Sequence, residues 1–232
     1  VKIPITIEDR KPYLQTWVKM PDGTLSKKKL VVDIGAGHPL SLENMLRDNG
    51  LPQNFISANL GVGLTGPIAG YLSRVDEIEL GKYKLKNVIT SFPDDEYLKR
   101  QVYVVPRDGN IGLGILKKFT ILFDYSNNAM YLKKGPLYNE PFEHDMSGME
   151  YYFDGQDYSR LIVNRIEPGS AADNIGLEEG DEITSINFKP VSKMTIEQID
   201  SIFRSRDGRS LLLEVYRGKL YDRMILTLKR RI

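Results

Sequence analysis

A mainly β chain in two parts is what this sequence predicts: a sandwich or barrel of short strands over residues 1–135, then a smaller α+β region. Three observations carry this expectation. Apolar residues alternate with polar ones, at a period of two, in run after run as far as Leu132. Tight-turn residues separate the runs, as at Pro21-Asp22-Gly23, Leu80-Gly81-Lys82, Arg107-Asp108-Gly109-Asn110 and Ser126-Asn127-Asn128. Past a polar connector at 136–147, which holds Pro136 and Pro141, a new pattern of strands and one capped helix begins.

In chain order, the strands of the first part fall at Ile3–Ile7, Tyr13–Val18, Leu30–Val32, Leu72–Leu80, Lys84–Ile89, Val102–Val105, Phe119–Phe123 and Met130–Leu132. One short helix is expected from Ser41 to Asp48, with Ser41 as its N-cap. In the second part Met149–Phe153 and Leu161–Ile166 read as strands. Pro168-Gly169-Ser170-Ala171-Ala172 leads into a helical turn that ends near Gly176, and Gly180-Asp181-Glu182-Ile183 opens a strand through Ile186. Thr195 and Gln198 form a capping box for a helix whose apolar face is Ile196, Ile199, Ile202 and Phe203. Leu211–Val215 and Met224–Leu228 close the pattern as strands. The expected domains are 1–140 and 146–232.

Composition sets the bounds. The 232 residues suffice for one large or two ordinary domains, and 41% hydrophobic with 27% charged residues is ordinary globular usage. A formal net charge of +1 provides no field that would gather nucleic acid or an anionic membrane. No apolar run reaches the roughly 18 residues that span a bilayer. Cysteine is absent, which removes disulfides, thiol catalysis and cysteine-based zinc sites. With His38 and His144 as the only histidines, no metal and no cofactor is expected. The chain opens on Val1 and enters an alternating pattern at once, so a trimmed or mid-protein start is expected.

One stretch stands out for chemistry. Leu30-Val31-Val32 runs directly into Asp33-Ile34-Gly35-Ala36, placing a carboxylate at the end of an apolar strand in a turn where glycine lets the backbone approach another group. Two readings stand for Asp33, a structural strand-end acid and an active-site carboxylate. Asp124 also ends an apolar strand and reads as structural. Gly61-Val62-Gly63-Leu64-Thr65-Gly66 fits a dinucleotide-binding pattern, but Pro67 and renewed strand alternation follow where that site needs a helix. Those glycines suit a hinged flap better. His38 and His144 read as turn or surface histidines, and Lys27-Lys28-Lys29 as a solvated approach to a strand.

A second motif makes the first more specific. Gly112-Leu113-Gly114-Ile115-Leu116 precedes Lys117-Lys118-Phe119 and is followed by Phe123-Asp124-Tyr125. With Asp33-Ile34-Gly35-Ala36, a hairpin at Leu64–Tyr71 and the Leu-Gly turn at Ile78-Glu79-Leu80-Gly81, residues 1–135 resemble a single lobe of a retropepsin-like or pepsin-like aspartic protease, a β-barrel. The resemblance implies that Asp33 is one carboxylate of a proton-sharing dyad. It implies that Ile34, Gly35 and Ala36 form the active-site turn, and that Gly63, Leu64, Thr65 and Gly66 belong to a flap. The turn departs from the family at Ile34, where threonine or serine supplies a hydroxyl that isoleucine lacks. The second carboxylate would come from a missing N-terminal lobe or from a homodimer partner.

Residues 148–232 resemble a PDZ domain of the bacterial, protease-associated kind, on Ile166-Glu167-Pro168-Gly169-Ser170-Ala171-Ala172, Gly176-Leu177, Gly180-Asp181-Glu182-Ile183 and Ile186-Asn187. The resemblance implies a groove between an edge strand and a helix that takes a C-terminal peptide, with its carboxylate on backbone N–H groups. Carried over, the carboxylate loop is Ser147-Gly148-Met149, the edge strand holds Tyr151, and the helix presents Ile196 and Ile199. A groove filled by the chain itself is the alternative. The joint order resembles bacterial aspartyl proteases with a C-terminal PDZ domain. It implies an exported, periplasmic or cell-surface aspartic endopeptidase acting on peptide or unfolded protein. The rival is a degenerate protease-like scaffold that binds peptides through the PDZ module.

Overall fold

The structure is a computed structural model that describes residues 1–43, 45, 50–63, 66–99 and 105–232. The chain divides into two compact units, Val1–Phe142 and Glu143–Arg231. Each has its own apolar core.

The first unit is built of β1 (Lys2–Pro4), β2 (Thr6–Glu8), β3 (Lys11–Lys19), β4 (Leu25–Val32), β5 (Leu40–Leu42) and β6 (Ile56–Gly63), followed by β7 (Gly66–Leu80), β8 (Tyr83–Pro93), β9 (Gly109–Ile111), β10 (Phe119–Asp124) and β11 (Ala129–Lys134). Its main sheet runs β2-β3-β4-β9-β5-β8-β7-β6, and β3 pairs again with β7 through Val18↔Ile78 and Lys19↔Glu77. Strands β3, β4, β9, β5, β8 and β7 therefore form a closed ring, which removes two sheet edges. Strands β1, β11 and β10 make a smaller sheet. The period-two pattern explains which side is inside: Leu14 and Val18 of β3, Leu30 of β4 and Ile78 and Leu80 of β7 are buried. Each such side chain contributes about 1.5–3 kcal/mol by leaving water. Trp17, between the inward Thr16 and Val18, faces out and is 42% exposed.

Several sequence expectations are corrected here. Ser41 is not a helix N-cap. It lies inside β5, buried, paired with Asn110 on one side and Ser91 on the other. The rest of the expected Ser41–Asp48 helix falls largely outside the described residues, as do Val102 to Val104; Val105 is in no strand. The expected strand Ile3–Ile7 is broken at Ile5 into β1 and β2, which enter different sheets. Gly63 and Gly66 end and begin the two strands of the β6–β7 hairpin, the strand arrangement expected there in place of the helix a dinucleotide site needs. Leu64 and Thr65 lie outside the described residues. Lys118 is buried: its Nζ donates to the carbonyl oxygens of Leu137 and Glu140 and sits 4.4 Å from the centre of the Phe142 ring. His144 is buried rather than at the surface.

The second unit is an antiparallel sheet in the order β12 (Met149–Asp154), β13 (Arg160–Ile166), β14 (Glu182–Ile186), β16 (Ser210–Arg217) and β17 (Leu220–Thr227), with β15 (Lys189–Pro190) hairpinned onto β14. The short helix Ala171–Asn174 starts at Ser170, whose Oγ accepts from the Asp173 N–H. The longer helix Ile196–Phe203 carries the expected capping box. Thr195 Oγ1 accepts from the Gln198 N–H, and Gln198 Oε1 accepts from the Thr195 N–H, both at 3.3 Å. Its inner face packs Ile199 and Phe203 into the core, while Ile196 stays half exposed. No helix of the described chain is long and apolar enough to cross a membrane.

Candidate functional site

Two places hold the residues singled out from the sequence. The first is the turn after β4. Strand β9 lies between β4, to which it is parallel, and β5, to which it is antiparallel, so the Asp33–Pro39 turn loops over its end. Backbone bonds staple the turn there: Asp33 N–H to Ile111 O at 3.0 Å, Leu113 N–H to Ala36 O at 2.7 Å and Gly112 N–H to Pro39 O at 2.9 Å. Gly112 has to be glycine. A Cβ at that position would sit 2.1 Å from His38 O and 2.8 Å from Ala36 O. His38 Nε2 lies 2.7 Å from Asn110 Oδ1, which ties the far end of the turn to the same strand. The two motifs that stood out in the sequence, Asp33–Ala36 and Gly112–Leu116, are thus one packed unit.

The carboxylate itself has few partners. Asp33 Oδ1 accepts from the Gly35 N–H at 2.9 Å, and that is its polar contact among the described residues. Ile34 is 67% exposed and offers no hydroxyl. Among the described residues, no group of three or more His, Cys, Asp or Glu gathers that could hold a metal. Asp124 caps the turn Tyr125–Asn127, accepting from the Asn127 N–H at 3.1 Å and from its side-chain amide at 2.8 Å.

The second place is the start of β12. This strand pairs with β13 on one side and ends the sheet on the other. Leading into it, Asp145 Oδ1 accepts from the Ser147 N–H at 2.9 Å, the Gly148 N–H at 3.0 Å and Ser147 Oγ at 2.5 Å. The Met149 N–H is taken by Ser147 Oγ at 3.2 Å. All three N–H groups of Ser147-Gly148-Met149 are therefore satisfied within the loop. Ser147 is fully buried and Met149 nearly so. Gly148 has φ of +76°, and a Cβ there would lie 2.1 Å from Ser170 Cβ, so the loop is clamped against the start of the short helix. Burial pushes the Asp145 carboxyl up from its ordinary value, although its three donors and the positive charge of Arg204 pull it back.

Further along β12, Tyr151 reaches the helix Ile196–Phe203. Its hydroxyl donates to Asp200 Oδ1, and its ring packs 5.6 Å from that of Phe203. Burial and then the Asp200 carboxylate push the Tyr151 phenol up, so it stays a donor. Of the residues assigned to peptide contact, Ser147, Gly148, Met149 and Ile199 lie buried, whereas Tyr151 and Ile196 reach solvent. The Gly180-Asp181 turn is structural. Asp181, 1% exposed, takes Arg217 Nε and Nη2 in a two-bond fork at 2.6 Å each. Asp145 and Asp200 were missed in the sequence. An acid two residues before a serine and three before a glycine is an Asx-turn signal that could have found the first.

Residues 162–217 match the family model of the PDZ domain, so the second unit contains a PDZ domain. Rho guanine nucleotide exchange factor TIAM2 from Mus musculus is 37% identical over 51 residues, which are 22% of this chain. The match spans 3% of the length of that curated relative. Among solved structures, the HtrA3 PDZ domain bound to a phage-derived ligand is 21% identical over 34% of this chain and 80% of its own, with a TM-score of 0.31. The HtrA-type protease AlgW with a decapeptide is 13% identical over 95% of this chain and 73% of its own, with a TM-score of 0.38.

The aspartic-type endopeptidase expected from the sequence is corrected. The proteases these matches bring are of the HtrA type, which are serine proteases, and the type conflicts. The geometry agrees with the correction: among the described residues the Asp33 carboxylate is held only by its own turn, beside an exposed isoleucine.

Proposed function

We propose that this chain is a peptide-recognition protein whose PDZ unit accepts an extended segment as an added strand along Met149–Asp154, next to the helix Ile196–Phe203. The observation that carries this reading is the outer edge of β12, which ends the sheet beside that helix. An exposed edge offers a row of backbone donors and acceptors, and a neighbouring helix sorts the side chains. The PDZ match over residues 162–217 supports it. In this reading the first unit is a retropepsin-like scaffold in fold, supported by the six-strand ring and by the stapling of the Asp33 turn to Ile111–Leu113. In this reading the first unit carries no aspartic-type chemistry of its own.

The test is nuclear magnetic resonance of the full chain with peptides selected from a random display library. Binding should shift resonances of Glu150–Asp154 and of the helix Ile196–Phe203. Shifts confined to other residues, or a library that yields no binder, would overturn the reading.

A further inference from the structure

We infer that Asp145 sets the specificity of the peptide groove: its carboxylate occupies the place of a ligand's terminal carboxylate, and the site therefore selects internal extended segments. This rests on the peptide-binding reading above. A concave run of backbone N–H groups is an anion site, and one anion saturates it. Here the acceptor that fills it is part of the chain. Asp145 Oδ1 takes the N–H groups of Ser147 and Gly148 and the Ser147 hydroxyl, and that hydroxyl oxygen takes the Met149 N–H.

The loop is also closed in space. Ser147 is fully buried, and Gly148 lies against Ser170 with no room for a Cβ. An incoming carboxylate would have to expel Asp145, and the expelled carboxyl would lose all three of its donors. The edge of β12 beyond the loop is not affected by this, because its hydrogen bonding is by backbone and needs no chain end. A segment that continues past the loop in both directions keeps all of the strand pairing and loses nothing at the carboxylate position. Segments of that kind are loops and unfolded stretches of a protein rather than its terminus.

The experiment uses the full chain and two matched random decapeptide libraries, one displayed with a free C-terminus and one with the C-terminus fused to its carrier. Binders are expected from both. Resynthesised as free acid and as C-terminal amide, each should bind with affinities within about twofold. Binders from the free-acid library alone, with a loss of about tenfold or more on amidation, would overturn the inference and leave the peptide reading standing. No binders from either library would overturn both. Asp145→Ala frees the loop donors, and the folded variant is expected to prefer acid over amide by about fivefold or more. Equal binding of acid and amide by that variant would also overturn the inference. Asp145→Asn keeps an acceptor oxygen and is expected to behave like the unaltered chain.

Discussion

Two acid turns in this chain share one local pattern and differ in everything around it. In each, an aspartate Oδ1 accepts from the N–H two residues on, at 2.9 Å: Gly35 for Asp33 and Ser147 for Asp145. Around Asp33 the partners stop there among the described residues, and the neighbouring side chain, Ile34, points into solvent. Around Asp145 a second N–H and a hydroxyl converge on the same oxygen, and the loop is buried. The difference teaches that an acid's position in a motif says little about its availability. The count of donors around it decides whether it can meet an external group or already serves as an internal ligand.

The comparison can be broken at its glycines first. Gly148→Ala forces a Cβ into Ser170 at a φ of +76°, and should cost about 2–4 kcal/mol in urea denaturation. Gly35→Ala places its Cβ 3.3 Å from Asp33 Oδ1 at a φ open to any residue, and should cost less than about 1 kcal/mol. Similar costs at the two positions would mean that the two turns are equally tight.

The acids themselves come next. Asp145→Ala leaves the buried donors of Ser147 and Gly148 without a partner and should cost about 1–3 kcal/mol, with amide exchange at Gly148 accelerated. Asp33→Ala should stay within about 0.5 kcal/mol by the same denaturation measurement. A smaller step lies on the helix side of the groove. Tyr151→Phe removes the hydroxyl that donates to Asp200 and should cost about 0.5–1.5 kcal/mol, while the packing on Phe203 keeps the ring in place.

A pH dependence comes last. The folded Asp145 carboxyl is pushed above its ordinary value of 3.8, so the folded state binds the proton more readily than the unfolded chain does. Its contribution is fully present below that ordinary value and is lost as pH rises through the folded value. Asp145→Asn should remove this slope. The difference in stability between the parent chain and Asp145→Asn, measured from pH 3 to pH 7 in steps of about half a unit, should therefore shift towards Asn as pH rises. A difference that is flat or runs the other way would show that the three donors outweigh burial.

Much of the second unit was legible because its signals are local. The Thr195 and Gln198 box needs only four consecutive residues, and it forms as read. The Gly180-Asp181 turn was legible as a turn, but not the arginine that holds it, since Arg217 lies 36 residues on. Ser41 shows the opposite failure. Serine before a run that suits a helix is an N-cap signal, yet two strands distant in sequence, β8 and β9, claim its backbone on both sides. At the candidate site, the edge strand and helix could be read from pattern, while the filling of the loop could not. That depends on burial and on how many donors meet at one oxygen, and neither has a period or a spacing. Lys118 shows the same dependence on distant residues: its ammonium is held by carbonyl oxygens 19 and 22 residues away.

Trp17 has an optical consequence. It is the single tryptophan of the chain, and it sits in the first unit, on the outward side of β3. Indole emission therefore reports unfolding of that unit alone, whereas circular dichroism sees the backbone of both. The two signals together give each unit its own melting curve without cutting the chain. Substitutions at Asp145 and Gly148 should displace the dichroism curve and leave the emission curve where it was, and substitutions at Gly112 should displace both.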